Sequence, residues 1–178
     1  MGLSGGFGLN LEFAKGYRFV ANGLWGTGDG RYLIGLAPDT VIVPVQTGAT
    51  TFSLFPSPVH AGAGLVGIEA QVTKNNLISG YYGGVYAQRN AFPDVTSPLL
   101  VKPNIGFGGL NSPNSASRAI QQATIDWDYT MWQDRNYGAL QLRTQWSYLT
   151  RSPWFVALGA PKNAHLFMGY VSLRYVLP

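Results

Sequence analysis

The chain has no cysteine, which removes disulfides, thiolate nucleophiles and cysteine-based metal sites together. No stretch approaches the ~18 consecutive apolar residues that a membrane-crossing helix needs, although 46% of the residues are hydrophobic. Charge is scarce: 11% of the residues are Asp, Glu, Lys or Arg, against about 25% in an ordinary soluble domain. The formal charge of +4 is spread without a Lys/Arg block, so no nucleic-acid partner is expected. The N-terminus lacks the charged-then-apolar order of a signal peptide.

What is abundant is glycine, 23 of 178 residues, and aromatics at 13%. A soluble surface of this size would carry more charge. A β-barrel reconciles these features, because alternate residues face lipid and lumen and each strand averages to neutral hydropathy.

Period-two alternation between turn residues predicts about seven strands. The first is Gly5 to Phe13, with Phe7, Leu9, Leu11 and Phe13 on one face and Gly8, Asn10 and Glu12 on the other. Ala14 to Gly16 connects it to the second, Tyr17 to Trp25. Gly26 to Pro58 reads as a long loop with a local strand in Thr40 to Val45. The third and fourth strands, about Gly62 to Thr73 and Leu77 to Gln88, flank the tight turn Lys74-Asn75-Asn76, in a register open by one residue. A second long loop, Arg89 to Ser117, holds Pro93, Pro98, Pro103 and Pro113. In the fifth strand Ala123, Ile125, Trp127, Tyr129 and Met131 alternate with polar residues. Gln133 to Asn136 turns into the sixth, where Leu140, Leu142, Trp146 and Tyr148 alternate with Gln141, Arg143, Gln145 and Ser147. A third loop, Arg151 to Asn163, precedes a last strand from about His165 to Leu177.

Connections therefore alternate short and long, as do the periplasmic turns and extracellular loops of outer-membrane barrels. An odd strand count that starts on the long-connection side implies missing N-terminal strands. Residues 1–178 are thus expected to form a single barrel domain that is incomplete, or a curved open sheet. Hairpin arithmetic supports antiparallel pairing. A turn centred on Asp134 and Arg135 sets Trp127 opposite Leu142, Tyr129 opposite Leu140 and Asp126 opposite Arg143. The first turn sets Phe13 opposite Tyr17, Leu11 opposite Phe19 and Glu12 opposite Arg18. Each hairpin places acid against base on one face and apolar against apolar on the other.

The closing segment from Leu166 to Pro178, in which Phe167, Val171, Leu173, Tyr175 and Leu177 alternate, resembles the terminal strand of Gram-negative outer-membrane barrels. The stretch from Trp127 through Tyr148 and Arg151-Ser152-Pro153-Trp154 is similar to the C-terminal ends of porin-like proteins. The resemblance implies an antiparallel up-and-down transmembrane barrel in a bacterial outer membrane, recognised by the barrel-assembly machinery. The chain departs from that pattern in ending on Pro178, with its last aromatic three residues earlier.

Gly62-Ala63-Gly64-Leu65-Val66-Gly67 matches a dinucleotide fingerprint by letter. The fingerprint needs a strand before it and a helix after it, whereas a strand pattern continues here, so the glycines read as room for crowded side chains. Gly26-Thr27-Gly28-Asp29-Gly30 reads as a loop tip. Asp126 and Asp128 share a face, suited to a cation or to glycoside hydrolysis but read as neutralised lumen charges. His60 and His165 lie near outer strand ends with no serine motif nearby. No catalytic centre, cofactor or metal site is therefore expected.

The expected function is a porin-like channel for passive diffusion of small solutes, lined by Glu12, Arg18, Glu69, Asp126, Asp128, Arg143 and Arg174, whose mixed signs predict weak ion selectivity. Trp127, Tyr129, Trp132, Tyr137, Trp146 and Tyr148 are the expected membrane-interface aromatics. Expected partners are outer-membrane lipid, lipopolysaccharide phosphates near the loop cations, small solutes and a second copy of the chain. The alternatives are a non-conducting barrel serving as anchor, scaffold or receptor, then an outer-membrane hydrolase or a soluble β-sandwich.

Overall fold

A computed structural model describes residues 2–33, 37–110, 112 and 116–178; Pro113 of the second long loop and residues 34–36 of the first lie outside them. The strands are β1 (Ser4–Ala14), β2 (Tyr17–Thr27), β3 (Thr40–Gln46), β4 (Phe52–Pro58), β5 (His60–Thr73), β6 (Asn76–Ala87), β7 (Asn90–Pro93), β8 (Asn104–Phe107), β9 (Ser117–Asp134), β10 (Gly138–Pro153) and β11 (Ala164–Val176). Seven of them form one antiparallel sheet in the order β1-β2-β5-β6-β9-β10-β11. The long connections contain the remaining four, as the hairpins β3-β4 and β7-β8. The first of these extends the local strand expected at Thr40 to Val45, and the second occupies a segment expected as loop. Among the described residues the sheet does not close: β1 pairs only with β2, and β11 only with β10.

Each short turn has a local cause. Thr73 pairs with Asn76 across Lys74-Asn75, and the Thr73 hydroxyl accepts the Asn76 backbone N–H at 3.1 Å. Asp134 pairs with Gly138, its Oδ1 accepts the N–H of Asn136 at 2.8 Å, and Gly138 takes the positive φ of 91° that completes such a turn.

Two expected registers are corrected here. Near the Asp134 turn, Trp132 pairs with Leu140 and Thr130 with Gln141, so Met131 is a bulge residue and Trp132 takes its place on the apolar face. The turn is also one residue longer than the arithmetic assumed. Placed over Arg135 to Tyr137, the turn advances the pairing by three and the bulge takes one back, a net shift of two: Arg143 faces Asp128, not Asp126, and Leu142 faces Tyr129, not Trp127. An even shift leaves the residues beyond the bulge, from Thr130 back along β9, on their expected faces. In the first hairpin, Leu11-Phe19 and Glu12-Arg18 pair as expected, but a bulge sets Ala14, rather than Phe13, opposite Tyr17.

The burial pattern is inverted relative to a water-soluble sheet. On one face, Ile68, Ile125 and Val171 remain 53%, 60% and 73% exposed, although burying one such side chain is worth about 1.5–3 kcal/mol. The opposite face carries the polar residues, and its Ser147 is 1% exposed. Among the described residues the one buried apolar cluster lies at the long-connection end. There Leu33, Val59 and Phe107 from the connections pack with Ala61 and Ala87, which stand on the polar face, and Leu24 and Ala63 pack against them.

Candidate functional site

Antiparallel registers carry a row of ionisable groups across the polar face. Glu12 stands opposite Arg18, and Arg18 opposite Glu69. Glu69 is followed by Ser79, then Asp126, while Asp128 lies opposite Arg143. Ser172 stands beside Arg143, and Arg174 beside Gln141. All seven expected lumen residues thus share one face of the sheet. Two ion pairs organise the row: Arg18 Nε to Glu69 Oε2 at 3.3 Å and Arg143 Nε to Asp128 Oδ1 at 2.8 Å. Acid faces base across β1-β2, β2-β5 and β9-β10, so the field along the face is of mixed sign.

Pattern reading missed Tyr81 on this face, and it placed Thr124, Gln145 and Ser147 at polar positions without the hydrogen bonds that join them. Tyr81 donates its hydroxyl to Glu69 Oε1 at 2.5 Å. Gln122 Nε2 donates to Thr124 Oγ1 at 3.0 Å, Thr124 and Ser147 share a hydroxyl–hydroxyl bond of 2.9 Å, and Gln145 Nε2 donates to Ser147 Oγ at 3.0 Å. β6 gave no signal because both its faces are apolar, with Tyr81 and Tyr82 adjacent.

The apolar face carries the aromatics. Trp127 and Tyr129 stack at 5.9 Å, and Trp127 Nε1 donates to Asn76 Oδ1 at 3.0 Å. Tyr137 lies in the turn, where its carbonyl accepts the Tyr175 hydroxyl. Tyr148 stacks on His165 at 5.7 Å and hydrogen-bonds its Nδ1 at 2.8 Å. Trp146 is on this face but halfway along β10, away from either strand end. Three further aromatics mark the long-connection end: Trp25 stacks on Tyr86 at 6.0 Å, and Tyr86 meets Trp154 edge-on at 6.2 Å.

The glycine motif lies wholly within β5. A Cβ on Gly62 would meet the Trp25 ring at 2.3 Å, and one on Gly67 the Tyr81 ring at 2.2 Å, so these glycines seat aromatic rings from neighbouring strands. In the first long connection Gly30 is buried and Asp29 accepts the Ser4 hydroxyl. His60, hydrogen-bonded to Thr27 Oγ1 at 2.9 Å, is separated from His165 by β6, β9 and β10. Among the described residues no three His, Cys, Asp or Glu side chains come together as a metal site. Two loop carboxylates are held below their ordinary range: Asp39 by the backbone N–H and guanidinium of Arg31, and Asp94 chiefly by the Thr96 hydroxyl at 2.6 Å.

No protein-family model, curated protein or solved structure matches the chain.

Proposed function

We propose that the chain belongs to a porin-like barrel of a bacterial outer membrane, with its polar face lining a passage for small solutes. The observation that carries this reading is the placement of charge. Along the seven sheet strands Glu12, Arg18, Glu69, Asp126, Asp128, Arg143 and Arg174 occupy the polar face, and between the turns the apolar face has no Asp, Glu, Lys or Arg. From His165 to Tyr175 that uncharged stretch of β11 spans about 33 Å at ~3.3 Å per residue. At a strand tilt of ~40° this is about 25 Å, the height of the apolar band of an outer-membrane barrel.

Lipid leaves no partner for an unpaired strand edge, so β1 and β11 both need neighbours. The two run in the same direction, since seven antiparallel strands separate like from like. Direct closure of edge on edge would be parallel; an odd number of additional strands closes the barrel with antiparallel pairs throughout.

A second reading, a barrel that anchors or receives without conducting, is favoured by the cluster of Leu33, Val59 and Phe107 over the polar face, which narrows one mouth. Planar-bilayer recording distinguishes the two. Discrete conductance steps with weak ion preference are expected of the protein purified from its own membranes. Insertion without conductance supports the anchor, and recovery of the protein in the soluble fraction overturns both.

A further inference from the structure

Asp126 differs from the other acids of the polar face. Glu69 pairs with Arg18 at 3.3 Å and accepts the Tyr81 hydroxyl at 2.5 Å. Asp128 pairs with Arg143 at 2.8 Å, and Glu12 accepts the backbone N–H of Gly16 at 3.2 Å. Asp126 has no hydrogen bond and no ion pair among the described residues.

Its surroundings explain this. Across the ladders Asp126 stands opposite Ser79 on β6 and Gln145 on β10, and along β9 its neighbours on the same face are Thr124 and Asp128. The donors around it are committed elsewhere. Arg143 is turned to Asp128 and Tyr81 to Glu69. Gln145 Nε2 donates to Ser147 Oγ at 3.0 Å, and the Thr124 hydroxyl shares its 2.9 Å bond with the same serine. An ionised carboxylate accepts only, so one left without a donor by its own sheet draws its solvation from whatever occupies the space over that sheet.

We infer that Asp126 is the point on this face where a passing monovalent cation is held, and that it, more than the paired charges, sets the ion preference of the face. A neighbouring acid and base present a dipole, whose field fades with distance faster than that of a lone charge. The inference rests on the proposal that this face lines a conducting passage.

The protein purified from its own membranes is inserted in planar bilayers, and the reversal potential under a potassium chloride gradient gives the ratio of potassium to chloride permeability. Asp126→Asn keeps the shape of the side chain and breaks no bond; it is expected to move the ratio toward chloride by about twofold. Asp126→Glu, which restores the charge, should restore the ratio. Removing an acid and a base together, in Asp128→Asn with Arg143→Gln, is expected to move the ratio far less than Asp126→Asn does. A ratio unchanged in Asp126→Asn, or moved as far by the paired double variant, overturns the inference and leaves the channel reading intact. Failure of Asp126→Asn to insert gives the carboxylate a structural role and overturns it as well. Absence of conductance steps from the unmodified protein overturns the channel reading and the inference with it.

Discussion

Arg143 and Asp128 meet across β9 and β10 at 2.8 Å, with Asp126 one pleat further along the same face. The pair is part exposed, 42% and 18% at the two side chains, so solvent screens it. A double-mutant cycle with Asp128→Asn and Arg143→Gln is expected to give a coupling of about 0.5–1 kcal/mol. The cycle with Asp126→Asn should give a smaller one. Denaturant titration of the reconstituted protein reads both, and equal couplings would refute the observed register.

Val171 and Ser172 are neighbours on β11 and point to opposite faces. If the apolar face meets lipid, Val171→Lys is expected to cost about 2–4 kcal/mol of folding free energy in vesicles. Ser172→Lys should cost little. In a sheet facing water on both sides, Val171 at 73% exposure would accept lysine without penalty, and that outcome would sink the membrane proposal.

Gly62 and Gly67 seat the rings of Trp25 and Tyr81. Valine at either position forces ring and backbone apart and is expected to destabilise by about 1–3 kcal/mol, measured as a lower denaturation midpoint. Gly80, with nothing within 4 Å of an added Cβ, is the control position whose alanine variant should keep its midpoint.

Ion preference follows the placement of the charged row. Neutralising Arg143 or Arg174 is expected to move the permeability ratio toward cations, and Glu69→Gln to move it toward anions. Reversal potentials under a salt gradient read the sign. No change from any of the three would remove this face from the conduction path.

Asp39 and Asp94 are both depressed below their ordinary value of 3.8 by donors from Arg31 and Thr96. A carboxylate with a lowered folded-state pKa stabilises above the unfolded value and loses that contribution as pH falls through the folded one. The connections they hold should therefore loosen only below about pH 4. The protection factors of the Arg31 and Thr96 amides against hydrogen exchange, corrected for the intrinsic pH dependence, are expected to fall there and to stay constant between neutral pH and pH 5.

The seven strands of the main sheet, their faces and the rhythm of short and long connections were legible in residue order, because a period of two reports which face a side chain takes wherever the two faces differ in polarity; the hairpin β7-β8 was not. Glu12, Arg18, Asp126, Asp128 and Arg143 could be placed together on that basis. Pattern was silent for Tyr81, since β6 is apolar on both sides. It also gave the wrong partner for Arg143, because a turn displaced toward Gly138 and a bulge at Met131 that takes back one residue slide the ladder by two and leave alternation almost untouched. The isolation of Asp126 and the packing of Leu33, Val59 and Phe107 over the polar face exist only in three dimensions. Both join residues far apart in sequence, and whether a glycine leaves a hollow or receives a ring depends on what the neighbouring strand brings to it. Local alternation determined the faces of the sheet; the lateral pairing of its strands decided which charges meet, which one is left unpaired, and that both edges stay open.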